Sequence, residues 1–134
     1  MFSAKVICAI QVLFELSFGE MPNEGIKSSL LKERCTVASH LVTPVIRLLM
    51  KEGYIRRNNK GVFSVAVDLD TITLYSILSL LHSSMNIGDS GVQELKGAYK
   101  TIPLYKELVN VEDKLRKEVE TELKSIRISD IVGV

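Results

Sequence analysis

Residues 36–67 read TVASHLVTPVIRLLMKEGYIRRNNKGVFSVAV. Val42, Val45, Ile46 and Leu49 fall at spacings of three, one and three, which makes one apolar stripe on a helix of 3.6-residue period. Gly53 follows as a C-terminal stop, because glycine enters the left-handed conformation that ends helices without a steric cost. Tyr54-Ile55 and the run from Val62 to Val67 are then β-prone, and they flank a turn of Asn58, Asn59, Lys60 and Gly61, which predicts a hairpin. A helix running directly into a basic-tipped hairpin is the outline of a winged helix. In that arrangement the helix enters a DNA major groove and the hairpin tip meets the backbone beside it.

Pro44 limits where the helix can start, since an interior proline removes a backbone donor and crowds the preceding turn. Either Thr43 caps the helix with Pro44 as its first residue, or the helix begins near Ser39 with Pro44 close to the first turn. The second account is preferred, because the first leaves a helix of only about ten residues, short for a packed one. It makes residues 36–38 the turn of a helix-turn-helix. It also places Ser39, His40 and Thr43 in an exposed N-terminal turn, where base contacts are usually made.

A chain of 134 residues predicts one main domain with a modest appendage. Apolar residues at 46% and charged ones at 25% are enough to bury a real core. No apolar run reaches membrane-spanning length and the start lacks a signal-peptide pattern, so a cytoplasmic protein with no membrane partner is expected. Two cysteines, Cys8 and Cys35, are too few for a disulfide framework or a thiolate zinc site, and both read as packed small hydrophobes. The net charge of +1 hides a segregation: residues 1–60 hold nine Lys/Arg against five Asp/Glu, and residues 61–134 hold eight against eleven. Five of the nine, Arg47, Lys51, Arg56, Arg57 and Lys60, lie in the helix and hairpin, where a winged helix needs a positive field.

Upstream, residues 2–18 form a helix with Phe2, Val6, Ala9, Ile10, Leu13 and Leu16 at helical spacing and Ile7, Val12 and Phe14 elsewhere around it. Such a helix must be covered on more than one side. Residues 19–23 read as a turn, with Asn23 as a cap. Residues 24–34 read as a short helix carrying Ile26, Leu30 and Leu31. Downstream, Thr71 or Thr73 caps a helix over residues 74–82 with Ile77, Leu78 and Leu81 inward and His82 as a polar end. Residues 83–100 read as a loop. Pro103 opens the longest helix, to about residue 125, with Leu104, Leu108, Val111, Leu115, Val119, Leu123 and Ile126 recurring at three and four. A rod of roughly 35 Å exceeds what a small winged-helix domain covers and has the shape of a dimerisation helix. A last short turn starts at Ser129-Asp130.

These pieces, in this order, resemble the Rrf-two family of winged helix-turn-helix transcriptional regulators, the IscR- and NsrR-like group. The N-terminal helix with Ala9 and Leu13 fits the family's opening, and KEGYI, from Lys51 to Ile55, fits the end of its recognition helix and the start of its wing. Lys60-Gly61-Val62-Phe63-Ser64-Val65 resembles its Gly-Gly-Tyr-Arg-Leu wing return, with Val62 in place of the second glycine. Thr71-Ile72-Thr73-Leu74-Tyr75-Ser76-Ile77 resembles its Ile-Thr-Leu-Leu-Asp-Val helix start, and Ser125-Ile126-Arg127-Ile128-Ser129-Asp130-Ile131 its closing Ile-Thr-Leu-Ala-Asp-Leu. Many members ligate an iron–sulfur cluster with three cysteines between the fourth helix and the dimerisation helix. Residues 83–100 hold no cysteine, and Ser or Gly cannot replace a cluster thiolate. The resemblance therefore implies a cluster-free member, with no cofactor and no metal. The wing also lacks the family's Arg-Gly tip, and Arg56-Arg57-Asn58-Asn59-Lys60 supplies the charge differently.

The expectation is a mainly α fold with a small β-hairpin: a winged helix-turn-helix domain over residues 1–83, a linker over 84–101, and a dimerisation helix and tail over 102–134. The function expected is a homodimeric, sequence-specific regulator of transcription on double-stranded DNA, biased by an unidentified small-molecule or protein effector. Ser39, His40 and Thr43 would face base edges. Arg47, Arg56, Arg57, Asn59 and Lys60 would hold phosphates, with Asn59 at the hairpin tip or in the minor groove. The alternative is a winged-helix module that binds protein and has lost DNA binding; its basic wing would then be a solvated edge charged against strand pairing. An enzyme is not expected: His40 and His82 lie on different elements, and there is no phosphate loop or nucleophile set with recognisable context.

Overall fold

The computed structural model describes residues 2–18, 25–35, 39–81 and 103–133, apart from the Tyr105 side chain. The expected turns at 19–23 and 36–38, the Asn23 cap, the His82 helix end and the 83–100 loop lie outside the described residues.

Helix α1, Ala4–Phe18, is the centre of the fold. It buries Val6, Cys8, Ala9, Val12, Leu13 and Leu16, and the helices Ser28–Arg34, Ser39–Lys51, Leu74–Leu80 and Ile128–Val132 and the strand Val62–Val65 all pack on it. The expectation that this helix needs cover on more than one side holds. Phe2 departs from the expected inward stripe and is exposed, together with Ile7, Phe14 and Phe18.

The short helix expected over 24–34 is two elements. Strand β1, Ile26–Lys27, comes first, and helix α2 is Ser28–Arg34. Ile26 pairs with Phe63 and Lys27 with Val62, so the wing is a three-stranded antiparallel sheet rather than a bare hairpin, with β3, Val62–Val65, between β1 and β2, Ile55–Arg57. Gly25 makes the approach possible. Its φ is +78°, and a Cβ there would stand 2.3 Å from the Phe63 carbonyl oxygen. Ile26 therefore reaches the core from a strand, and of α2 itself only Leu31 is buried while Leu30 is exposed.

Helix α3, Ser39–Lys51, begins where the second account of Pro44 put it, with Pro44 inside. Pro44 is exposed, so the carbonyl it leaves unpaired can be satisfied by water. Val42, Val45, Ile46 and Leu49 are all buried. Gly53 has φ +79° and ends the helix as expected. Strands β2, Ile55–Arg57, and β3, Val62–Val65, follow in the register Ile55 with Val65, Arg56 with Ser64 and Arg57 with Phe63.

A 3-10 turn, Leu69–Thr71, leads to helix α4, Leu74–Leu80. Thr73 rather than Thr71 caps it, its Oγ1 accepting from the Ser76 amide at 3.1 Å. Helix α5, Pro103–Ser125, has the expected length. Its C-terminal part packs on α4 and buries Leu123, with Val119 and Ile126 partly covered. The chain is then stitched back: the Leu74 amide donates to the Ile126 carbonyl and the Ile128 amide to the Ile72 carbonyl, both at 2.8 Å. Helix α6, Ile128–Val132, starts earlier than the expected turn, because Arg127 occupies the cap position and leaves Ile128 and Ser129 inside the helix and buried. Leu123, Ile128 and Val132 join the same buried cluster as α1.

Candidate nucleic-acid interface

The α3 helix divides its residues by the helical period. Burial of Val42, Val45, Ile46 and Leu49 turns positions 39, 40, 43, 44, 47 and 51 outward. Ser39, His40, Thr43 and Arg47 thus share one exposed face, and Lys51 extends it. Among the described residues none of these four side chains has a hydrogen-bond or ion-pair partner within the chain. Ser39, His40 and Thr43 also share an open groove of about 440 Å³ with Lys32 and Glu33 of α2. Lys32 is absent from the sequence-derived set. Its signal was the pair of cations in the last turn of α2, Lys32 and Arg34, but which of the two faced α3 depended on how α2 docks. Arg34 turns instead to α1, where it lies 3.5 Å from Glu15.

The wing is a built object. Asn58 folds its own turn, its Oδ1 accepting from the amides of Lys60 at 2.9 Å and Val62 at 3.0 Å. The Asn58 amide donates to the Val62 carbonyl and the Gly61 amide to the Asn58 carbonyl. Gly61 carries the φ of +77° that a three-residue hairpin loop requires at that position. The turn therefore projects Asn59 and Lys60, both exposed, at its tip. Arg56 and Arg57 are exposed but held: Arg56 Nε donates to Ser64 Oγ at 3.2 Å, and the Arg57 guanidinium lies 5.9 Å from the centre of the buried Phe63 ring. Holding these side chains lowers the entropy lost when they meet a ligand.

Helix face and wing form two adjacent groups. No hydrogen bond or ion pair among the described residues links the side chains of one to the other. Between positions 39 and 67 the five cations face a single acid, Glu52. The surface is thus positive and polar, with donors free to turn outward. It has no buried titratable cluster, and among the described residues no group of three or more His, Cys, Asp and Glu is placed to hold a metal ion.

No family model matches the chain. No curated protein matches it in sequence. Solved structures do match along its whole length. IscR of T. potens superposes with a TM-score of 0.66 at 20% identity, over 99% of this chain and 86% of that one. CymR, the global cysteine regulator of B. subtilis, gives 0.70 at 17% identity over 100% and 97%. CymR of Staphylococcus aureus gives 0.67 at 17% identity over 98% of each chain. The chain has the fold of these regulators, a winged helix-turn-helix with a long C-terminal helix.

Proposed function

We propose that this chain is a homodimeric, sequence-specific DNA-binding regulator of transcription of the Rrf-two kind. The observation that carries the reading is the exposed, unpartnered face of α3 beside a preformed basic wing. Ser39, His40 and Thr43 read base edges. Arg47, Arg56, Arg57 and Lys60 hold phosphates, with Asn59 at the tip, and Lys32 adds a contact from α2. Regulator folds in the structural neighbours support the same reading, as does the absence of any helix among the described residues that is long and apolar enough to cross a membrane.

The dimer rests on α5. Leu104, Leu108, Val111 and Leu115 form one stripe and are 66, 40, 52 and 44% exposed. A continuous exposed apolar stripe on a long helix marks a protein surface, and a second copy supplies the same stripe in return. The apolar groove between α1 and α6, about 710 Å³ and lined by Phe2, Ile7, Phe14, Leu74, Ile126 and Ile131, is a second surface for such a partner. An iron–sulfur cluster has no place in this reading. The chain has two thiols, and both are buried in the core of the N-terminal half rather than beside α5.

The test is selection of bound fragments from the source genome by the purified protein. Enrichment of one palindromic sequence, bound as a two-to-one protein–DNA complex, is the expected result. Absence of enrichment, or equal binding to all sequences, overturns the reading.

A further inference from the structure

One apolar residue of α3 does not serve the core. Leu41, Leu48 and Met50 pack against it beside the four buried residues of the stripe, whereas Pro44 is exposed. Pro44 is the sixth of the 13 residues, inside the helix rather than in its first turn. Proline is the costliest residue in a helix interior. It has no amide hydrogen to give the His40 carbonyl, and its ring crowds the turn before it. The fold draws no burial from the ring in return. Helical spacing sets the ring at the centre of the outward face. His40 precedes it by four residues, Arg47 follows it by three and Thr43 stands beside it, all exposed. The face is therefore polar at its edges and carries, at its middle, a patch that can neither donate nor accept a hydrogen bond.

We propose that Pro44, with the methyl group of Thr43, is a specificity-determining contact that reads the C5-methyl group of thymine in the major groove. The assignment rests on the DNA-binding reading above and names a base for it. All four base-pair arrangements present donors and acceptors in the major groove, in different orders, and the thymine methyl is the one apolar group among them. A ring with neither donor nor acceptor matches that group and no other. Set against the amino and carbonyl groups of a G·C pair, the ring would strip their water and offer no partner in exchange. No Asn or Gln stands on the outward face to take adenine by two hydrogen bonds, so an A·T pair is recognised from its thymine side.

The two residues divide the contact. Pro44 is rigid and loses no rotamer freedom when it meets a base. Thr43 widens the apolar patch with its methyl group, and its hydroxyl stays able to bond a neighbouring base edge. Burial of one methyl group is worth about fourfold in affinity, and a dimer presents the contact twice, so loss of both methyl groups should weaken binding by about 15-fold.

The experiment uses the full chain and the selected fragment. Each symmetric pair of thymines is replaced in turn by deoxyuridine, which removes the methyl group and keeps every hydrogen-bonding group. One pair should cost the wild type about 15-fold in affinity and cost Pro44→Ala less than about threefold. Where C·G replaces that pair, 5-methylcytosine should bind the wild type more tightly than cytosine, and Pro44→Ala should not tell them apart. Pro44→Ala should also raise the urea midpoint of the chain, because alanine is the best helix former, so its lost discrimination does not come from unfolding. Wild-type binding indifferent to every thymine methyl overturns the assignment and leaves the DNA-binding reading standing. Equal methyl dependence in the wild type and Pro44→Ala overturns it too, since another residue then reads the group. A lower urea midpoint for Pro44→Ala shows that the fold uses the ring, and overturns it as well. Failure to select any fragment overturns the assignment together with the DNA-binding reading.

Discussion

Helices α3 and α5 carry the same kind of apolar pattern and meet opposite fates. Each repeats aliphatic residues at three and four. In α3 the stripe of Val42, Val45, Ile46 and Leu49 is wholly buried against the chain's own core. In α5 the stripe from Leu104 to Leu115 stays in water, and only the last turns, at Val119 and Leu123, are covered. Periodicity announces an apolar face and says nothing of what covers it. Cover depends on length: 13 residues of α3 fit on α1 and the sheet, whereas 23 residues of α5 outrun α4. The outer faces differ in consequence. That of α3 is polar with no internal partners, ready for an external one. That of α5 is tied up in its own ion pairs, Arg116 with Glu112 at 2.7 Å and with Asp113 at 3.3 Å.

The contrast predicts different damage from comparable changes. Leu49→Ala empties a fully buried site and should lower folding stability by about 2–5 kcal/mol, read as the urea midpoint of the single chain. Leu108→Glu leaves the fold intact by circular dichroism, because the side chain is 40% exposed in the protomer. In the proposed dimer it would bury an unpaired charge. Sedimentation should show dimer association weakened by about 100-fold, equivalent to about 2.7 kcal/mol. A fall in protomer stability with no change in association would mean that the α5 stripe packs within its own chain.

The smallest expected effect lies where α5 docks on α4. Lys124 Nζ lies 3.0 Å from Glu120 Oε1 and 4.7 Å from the centre of the Tyr75 ring. Hydrogen bonding and charge from Lys124, with a bond from Tyr75, hold the Glu120 carboxyl below its ordinary 4.5, and Glu120 holds Lys124 above its ordinary 10.5. The depressed carboxyl contributes stability that is present above pH 4.5 and lost as pH falls through its folded value. The raised ammonium contributes stability that is present below pH 10.5 and lost as pH rises through its folded value. Glu120→Gln should therefore flatten the stability profile at both ends. Because both groups are exposed, the change should shrink as salt is added.

Much of the fold was legible in the sequence. The α3 stripe, the Gly53 stop, the Asn58–Gly61 turn chemistry and the length of α5 each rest on a local signal, and local signals survive folding. What escaped was non-local. Strand β1 has two residues, too few for a period, and exists because β3 offers an edge about 36 residues later. Gly25 was a breaker inside what read as a helix, but its reason, the Phe63 carbonyl 2.3 Å from a would-be Cβ, belongs to that distant strand. The early start of α6 follows from its stitch to Ile72. Lys32 joins the candidate interface through the docking of α2 against α3, an approach that leaves no mark on spacing. The eight sequence-derived residues are all exposed on two adjacent elements, because burial of a periodic stripe fixes the opposite face and a turn fixes its own tip.

The most direct test of the account is the salt dependence of binding to the selected fragment, for the wild type beside Arg47→Ala and Lys60→Ala. Five phosphate-binding cations in each protomer of a dimer, Lys32 included, predict a slope of log K against log salt of about −9, and each substitution, removing one contact per protomer, should make it shallower by about 1.8. Slopes that stay the same in both variants, or a wild-type slope near zero, would contradict the claim that the α3 face and the wing are where this protein meets DNA.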